Sequence, residues 1–305
     1  MNKQVQVHGA LFLVALIYGS NYSIAKEVMP EYVGPYGLIV IRVVSAAIFF
    51  GLLSKLVVKE KITGWADNMR SIACGVTGIA INQLCFFGGL NLTAPINAAL
   101  LMVISPVTVL IFSALLLKER VGSRKISGIV VACLGALLLI SGSQSADVPG
   151  NWLGDVLIIL NATSFGMYLV LVKPLMAKYK AITVVSRIFL VGAVIVLPFG
   201  FNQALTPEYS TFPAEIWAAI LFMIIGVTVI TYLLNAWALA YANPSLVGIY
   251  IYLQPVLAIL IAVWFGKDVF TVQKALYALM IFGGVYLVSR NNQPGQHKSE
   301  EAPAT

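Results

Sequence analysis

Charge is scarce in this sequence. Aspartate, glutamate, lysine and arginine together make up 10% of its 305 residues, against about 25% in an ordinary soluble domain. That deficit excludes a soluble globular chain. Cysteine is scarce too. Cys74, Cys85 and Cys133 all fall in apolar segments, and an odd number so placed excludes a disulfide scaffold. Histidine occurs only as His8 and His297, both read as lying outside the core. That leaves no material for a His-based triad, an H-E-x-x-H zinc site or a haem pocket. There is no G-x-x-x-x-G-K-[ST] run, so no ATP motor of that type. No carboxylate lies deep in an apolar segment, which removes the evident candidates for a carboxylate proton relay. No cofactor and no metal ion are expected.

What remains is apolar. Hydrophobic residues make up 60% of the chain, and its mean hydropathy is +0.92. A helix needs roughly 20 such residues to cross the hydrocarbon core. Ten stretches fit, at about 9–29, 36–56, 71–90, 97–117, 126–143, 153–173, 182–201, 214–239, 245–265 and 275–290. Each must be helical, because an unpaired backbone amide in lipid costs several kcal/mol. The spacers are short and rich in Pro, Gly, Asn or charge. The first stretch is read as a retained helix rather than a cleaved signal peptide, since the repeat described below requires it. Residues 291–305 are polar and are expected to be disordered.

Lysine and arginine set the expected orientation. With the N-terminus cytoplasmic, the inside segments hold Lys3, Lys55, Lys59, Lys61, Arg70, Lys118, Arg120, Arg124, Lys125, Lys173, Lys178, Lys180, Arg290 and Lys298. The outside loops hold only Lys267 and Lys274, and Lys26, Arg42 and Arg187 fall within spans. This bias accounts for the net charge of +7 without a nucleic-acid partner. It places both termini in the cytoplasm of a multi-pass plasma (inner) membrane protein.

The chain also repeats. An offset of 149 lays Pro95 on Pro244, Pro106 on Pro255, Lys118-Glu119 on Lys267-Asp268, Lys125 on Lys274 and Gly135 on Gly284, without a gap. An offset of 147 lays Gly19 on Gly166, Lys26 on Lys173 and Met29 on Met176. The halves, 9–143 and 153–290, each contain five spans, an odd number, so the second sits upside down relative to the first. The fold class expected is therefore an all-α polytopic membrane protein of ten transmembrane helices in two inverted five-helix repeats. Inverted repeats let two halves exchange conformations, which is how secondary transporters alternate access.

The stretches "YGSNYSIAK", "IVIRVVSAAIFF", "NQLCFFGGLNLTAP" and "ISPVTVLIFSALLLKERVGSRKISGIVVACLGALLLI" carry a resemblance. Over about residues 9–290 the chain resembles the drug/metabolite transporter superfamily, with two EamA-type domains in tandem. The second half departs where Asp268 replaces the usual glutamate and the glycine expected soon after it is missing. The resemblance implies a ten-helix exporter or exchanger of small metabolites around a central cavity. Substrates across that superfamily run from amino acids to amines, nucleosides and phosphorylated sugars, so the solute itself does not transfer.

Polar residues inside the spans are the candidate route. In the first helix Tyr18, Tyr22 and Lys26 share one face at i, i+4 and i+8. A polar stripe of this kind faces other helices or a wet cavity, not lipid. Tyr18, Asn21 and Tyr22 are read as cavity lining, Gly19, Ser20 and Ser23 as close helix packing, and Lys26 as snorkelling to the outer interface. Arg42 either binds a carboxylate or phosphate or pairs with a loop acid such as Glu31, Asp155, Glu208 or Glu215. Arg187 is assigned to the second, structural role. Asn82, Gln83, Asn161, Tyr168, Tyr232, Asn235, Tyr252 and Gln254 either line the route or make interhelical hydrogen bonds of ~0.6 kcal/mol each. Tyr250 belongs to the same run, and Pro255 is expected to kink the ninth helix beside it; Ser105 before Pro106 is the mirror position. Glu119 and Asp268 are expected to tie loops to nearby bases. Gly128, Ala132 and Ala136 form a small-residue packing line.

The function expected is secondary transport of small metabolites, such as amino acids or related amphipathic solutes, by alternating access. The chain is not expected to be an enzyme. The competing reading is a lipid or head-group flippase or scramblase, which would need a polar lateral opening. The expected partners are a small-molecule solute and the bilayer; a homodimer is compatible with the sequence. The inversion is directly testable. In a cysteine-free background, Arg124→Cys and Lys274→Cys are expected to react with impermeant maleimide from opposite sides of the membrane, and labelling from one side would contradict it.

Overall fold

The computed structural model describes residues 3–93, 98, 101–119, 121–141, 151–264 and 271–289. The tail 291–305 and the bases Arg120, Lys267, Arg290 and Lys298 lie outside them, as does the acid Asp268. All regular elements among the described residues are helical. The main ones are α1 (Lys3–Val28), α2 (Pro35–Val58), α3 (Trp65–Leu92), α4 (Ser105–Leu116), α5 (Ser123–Ser141), α6 (Trp152–Lys178), α7 (Ala181–Leu205), α8 (Ala214–Tyr241), α9 and α10 (Val272–Ser289), with a 3₁₀ turn at Tyr209–Thr211 between α7 and α8. In α9, Pro244–Ile249 tightens to a 3₁₀ turn at Tyr250–Tyr252 and resumes as α-helix over Leu253–Trp264. Among the described residues six helices, α1, α2, α3, α6, α7 and α8, are long and apolar enough to cross a membrane.

Local chemistry starts and bends these helices. Pro35 and Pro244 stand at first-turn positions, where a missing N–H is harmless. Asn151 caps α6 by accepting a hydrogen bond from the Leu153 amide at 3.0 Å. Pro255 follows the 3₁₀ turn of α9, so the expected kink appears as a tightened turn. In α3 and α8 one turn widens to i→i+5 bonding, at Val76–Ile81 and at Met223–Ile230. The 149-residue offset carries the first widened turn into the second, so the two are equivalent features of the two halves.

The packing repeats this equivalence. α2 lies along α7 and α5 along α10, and both pairs join repeat-equivalent helices. α3 packs on α6 as α8 packs on α1, and α4 packs on α6 as α9 packs on α1. α2 and α7 run antiparallel. Gln203 Oε1 accepts from the amides of Tyr36 and Gly37 at 3.0 and 3.2 Å at one end. Glu60 at the other end accepts from the Lys180 amide at 2.9 Å and the Thr183 hydroxyl at 2.6 Å. Between α5 and α10 the backbones nearly touch. A Cβ on Gly284 would sit 2.5 Å from the Gly128 carbonyl oxygen, and one on Gly135 would sit 3.0 Å from the Tyr277 carbonyl oxygen. The offset turns Gly128 into Tyr277 and Gly135 into Gly284, so these are one contact seen from both halves. Ala132 joins the same seam, as the small-residue line anticipated.

The outside of the assembly is apolar. Ile48, Leu52, Val194 and Phe199 are exposed on α2 and α7, as expected where lipid replaces water. Trp65 and Trp152 stand exposed at the starts of α3 and α6, positions suited to the membrane interface. Glu119 forms an ion pair with Lys125 and accepts from Ser245 at 3.2 Å, tying its loop down as expected.

Two expectations need correction. α1 begins at Lys3 rather than near residue 9, so His8 lies within it and shares a 2.5 Å hydrogen bond with the Tyr250 hydroxyl. α6 continues through Pro174 to Lys178, where a loop was expected. Its last turns are held by Lys173, which donates to the carbonyls of Leu239 and Ala242 at 2.5 and 2.8 Å, and by Lys178, paired with Asp67 at 3.0 Å.

The α5–α10 seam leaves no room for a side chain on Gly284. Gly284→Val is expected to destabilise the protein by about 1–3 kcal/mol through overpacking, read as a lower unfolding midpoint in detergent. The neighbouring Gly283→Ala, with nothing within 4 Å of its added Cβ, is expected to leave that midpoint unchanged.

Candidate functional site

The polar faces of α1, α2, α3, α6 and α9 converge on a central cavity of about 60 Å³. Eight of the candidate residues line it: Tyr18, Asn21, Tyr22, Arg42, Asn82, Gln83, Asn161 and Gln254. Asn235 lies against a small adjoining void shared with Tyr18 and Gln254. The remaining candidates do not line the cavity. Tyr232 sits beside Gln83, donating to the Gly78 carbonyl at 2.9 Å and accepting from Gln83 Nε2 at 3.0 Å. Tyr168 is buried with its ring over Gly78, where an added Cβ would sit 2.4 Å from the ring. Tyr252 is fully buried outside the lining. Of these three phenols Tyr232 makes the interhelical hydrogen bonds expected of a residue off the route, whereas the hydroxyls of Tyr168 and Tyr252 are buried without a partner.

Sequence reasoning missed the apolar walls: Phe86, Phe87, Met102, Phe165, Val227 and Ile251. A signal did exist for three of them. Phe86 and Phe87 follow Gln83 at i+3 and i+4, and Phe165 follows Asn161 at i+4, so each shares its neighbour's face. Tyr22 meets Phe86 edge-on at 5.6 Å, and Phe86 meets Phe87 at 5.1 Å, making a continuous aromatic wall.

Arg42 dominates the electrostatics. It is 2% exposed on α2. Its Nε and Nη2 donate to the Thr228 hydroxyl at 3.1 and 2.9 Å, and its guanidinium lies 4.7 Å from the centre of the Phe87 ring. Thr228 in turn donates to the Met223 carbonyl at 2.8 Å, a bond created by the widened turn of α8. Nη1 is buried with no hydrogen-bond partner. None of the proposed acids pairs with it, and no ion pair involving Arg42 occurs among the described residues. Arg187 likewise lacks the acid partner assigned to it. Its Nε is buried without a partner, in a groove on the opposite side of α2 from the cavity lining.

The amides complete the site. Asn161 donates to the Asn82 carbonyl at 2.8 Å, and Gln83 donates to the Asn82 side-chain oxygen at 3.1 Å. The Oδ1 atoms of Asn21 and Asn161 are buried without partners. The cavity therefore presents a cationic donor with a free N–H, acceptor oxygens on two other helices, and aromatic walls between. Such a set can answer an anionic group at one point and hydrogen-bond donors at another. At about 60 Å³ the cavity has room for a few waters.

A polytopic helical membrane protein with a small cavity lined by buried polar and aromatic side chains is the class this geometry defines. Residues 7–141 and 152–290 each match the EamA-like transporter family, and the chain belongs to that family. It is 24% identical over 293 residues to the uncharacterized transporter YyaM of Bacillus subtilis, covering 92% of this chain and 93% of that protein. It is 26% identical over 291 residues to an uncharacterized transporter of Archaeoglobus fulgidus, covering 93% and 97%. A probable terminal-alkyne amino-acid exporter of Streptantibioticus cattleyicolor is 27% identical over 206 residues, covering 66% and 67%. A solved crystal structure with 19% identity superposes with a TM-score of 0.74 over 93% of this chain and 96% of the other, which shows a shared fold.

Thr228 is the acceptor for the buried guanidinium. Thr228→Val is expected to lower stability by about 1–3 kcal/mol, since charged donors then lose their partner in the interior. Thr228→Ser is expected to restore it. Thermal unfolding of both variants in detergent checks this.

Proposed function

We propose that the protein is a secondary transporter for small amphipathic solutes, amino acids foremost, working by alternating access in the plasma membrane. One observation carries this reading. Arg42 Nη1 on one side of the cavity, and the oxygens of Asn21 and Asn161 on others, are buried polar atoms without partners. A carboxylate answers the first and an ammonium the others, while the wall of Phe86, Phe87, Phe165 and Met102 suits an apolar side chain. The relative named as a probable terminal-alkyne amino-acid exporter is consistent with such a solute. The lining contains guanidinium, amide, phenol and apolar groups. Among the described residues it holds no carboxylate, thiol or imidazole, which favours carrying a solute over transforming it and favours export or exchange over carboxylate-based proton coupling.

The topology proposed is ten spans in two inverted halves with both termini cytoplasmic. The antiparallel pairing of equivalent helices and the shared α5–α10 seam support it. So does the placement of the basic loops. Lys178 meets Asp67 while Lys173 meets Leu239 and Ala242, which puts the α2–α3, α6–α7 and α8–α9 connections at one end. The two ends also differ in a way that alternating access requires. Lys173 locks the end of α8 by binding its last carbonyls. Its repeat equivalent Lys26 is half-buried and binds no carbonyl among the described residues. We read this as a lock engaged at the basic end and released at the other, with the opposite arrangement in the alternate state.

The test is transport in proteoliposomes loaded with radiolabelled leucine or phenylalanine. Arg42→Ala and Gln83→Ala are expected to reduce flux about ten-fold or more, equivalent to ~1.4 kcal/mol of lost interaction, with normal membrane insertion. Unchanged flux in both variants would remove these residues from the route. Dithionite quenching of labelled lipids in the same vesicles separates solute carriage from lipid scrambling.

A further inference from the structure

A second and much larger concavity, about 970 Å³, lies on the outer face between α2 and α7. It shares no lining residue with the central cavity. Its walls are apolar, formed by Ile48 and Leu52 of α2 and by Leu190, Val194 and Leu197 of α7. Its mouth, at the basic end of the assembly, is lined by Lys55, Lys59, Lys61 and Arg187.

These four cations are not balanced locally. None of them forms an ion pair among the described residues. The single acid in the lining, Glu60, is engaged at the start of α7, where it accepts from the Lys180 amide and the Thr183 hydroxyl. That position also suits its charge, because the N-terminal end of a helix is electropositive. Arg187 adds a buried Nε with no hydrogen-bond partner. The backbone holds the mouth open for these side chains. α2 ends in a widened turn at Ser54–Val58, and Lys59 follows in a left-handed conformation with φ of 53°. The chain thereby turns back across the groove, bringing Lys59 and Lys61 over its end rather than carrying α2 onward.

We propose that this groove is a seat for an anionic phospholipid. Charge complementarity selects the head group, since four cations and one engaged carboxylate face an acidic phosphate. Depth selects a lipid over a soluble phosphate. Val44 and Lys55 are both in the lining, and eleven residues of helix span about 16 Å. That is roughly half the ~30 Å hydrocarbon core, the depth of one leaflet. Basic pockets between helices on the cytoplasmic side bind acidic head groups by this combination of charge and depth. A lipid in the groove touches both α2 and α7, the antiparallel pair that joins the two halves, so it stabilises that seam.

Native mass spectrometry and thermal unfolding of the full-length protein in detergent test this directly. The probes are phosphatidylglycerol and phosphatidylcholine with identical acyl chains. Phosphatidylglycerol is expected to remain bound and to raise the unfolding midpoint, while phosphatidylcholine does neither. Arg187→Gln is expected to weaken phosphatidylglycerol retention about five-fold, the effect of removing one basic charge near an acidic head group. The exposed set Lys55→Gln, Lys59→Gln and Lys61→Gln is expected to weaken it further. Val194→Trp, on an exposed wall position, is expected to reduce retention by filling the groove while the helical circular dichroism stays unchanged. Equal retention of the two lipids overturns the proposal, as does a phosphatidylglycerol preference that survives all these variants. A doubled mass abolished by Val194→Trp also overturns it, because a second copy would then occupy the groove.

Discussion

Apolar contact between two helices gains little in a bilayer, because lipid tails offer the same contact. What holds such helices together is close backbone approach and the few polar bonds that lipid cannot supply. The structure follows that constraint throughout. α5 and α10 meet where Gly128 and Gly284 bring the backbones together. α2 and α7 meet through Gly37, whose added Cβ would sit 2.5 Å from the backbone of Gln203, and through Gly200, whose added Cβ would sit 2.0 Å from the Tyr36 carbonyl oxygen. Several side chains bridge helices by binding main-chain oxygens, as Lys173, Asn161 and Tyr232 do, and others by binding side chains, as Arg42 and Lys178 do. Large apolar side chains are found both in the core, as Phe50, Phe87 and Phe189 are, and on the outer face, as Ile48, Leu52 and Val194 are.

The same constraint explains the cavity. A guanidinium in this interior costs at least ~2.5 kcal/mol unless it is answered. Arg42 is answered only in part, by one hydroxyl and one aromatic face. Thr228 is available because the widened turn of α8 lets its hydroxyl reach the Met223 carbonyl while still accepting from the arginine. A widened turn is itself a compromise in helix stability and recurs at functional sites. Here it occurs in both halves at equivalent positions, next to the cavity each half helps to build. Residual polarity that the protein leaves unanswered is what a solute can complete.

Duplication gives the molecule two versions of each contact, and the sequence lets them differ. Lys26 and Lys173 are equivalent, yet among the described residues Lys173 holds carbonyls of a partner helix and Lys26 does not. Glu119 ties its loop to Lys125 at the basic end. The two halves are thus similar in sequence but differently engaged at their ends.

Much of this architecture was legible in the chain itself. Low charge, long apolar runs, the bias of lysine and arginine, and prolines repeating at a fixed offset are one-dimensional signals, because a helix in lipid must satisfy its own backbone whatever surrounds it. The polar faces were legible for the same reason, since i, i+4 spacing fixes which side chains stand together. What no spacing could decide was which faces meet. Eight candidates turn toward one cavity, while Tyr168, Tyr232 and Tyr252 turn into packing, and the difference lies in the rotation of each helix against its neighbours. Nor could the sequence choose the partner of Arg42, a threonine 186 residues away rather than an acid, or find that Arg187 faces an outer groove. Those outcomes depend on distances between helices, which exist only once the backbones have closed on their glycines.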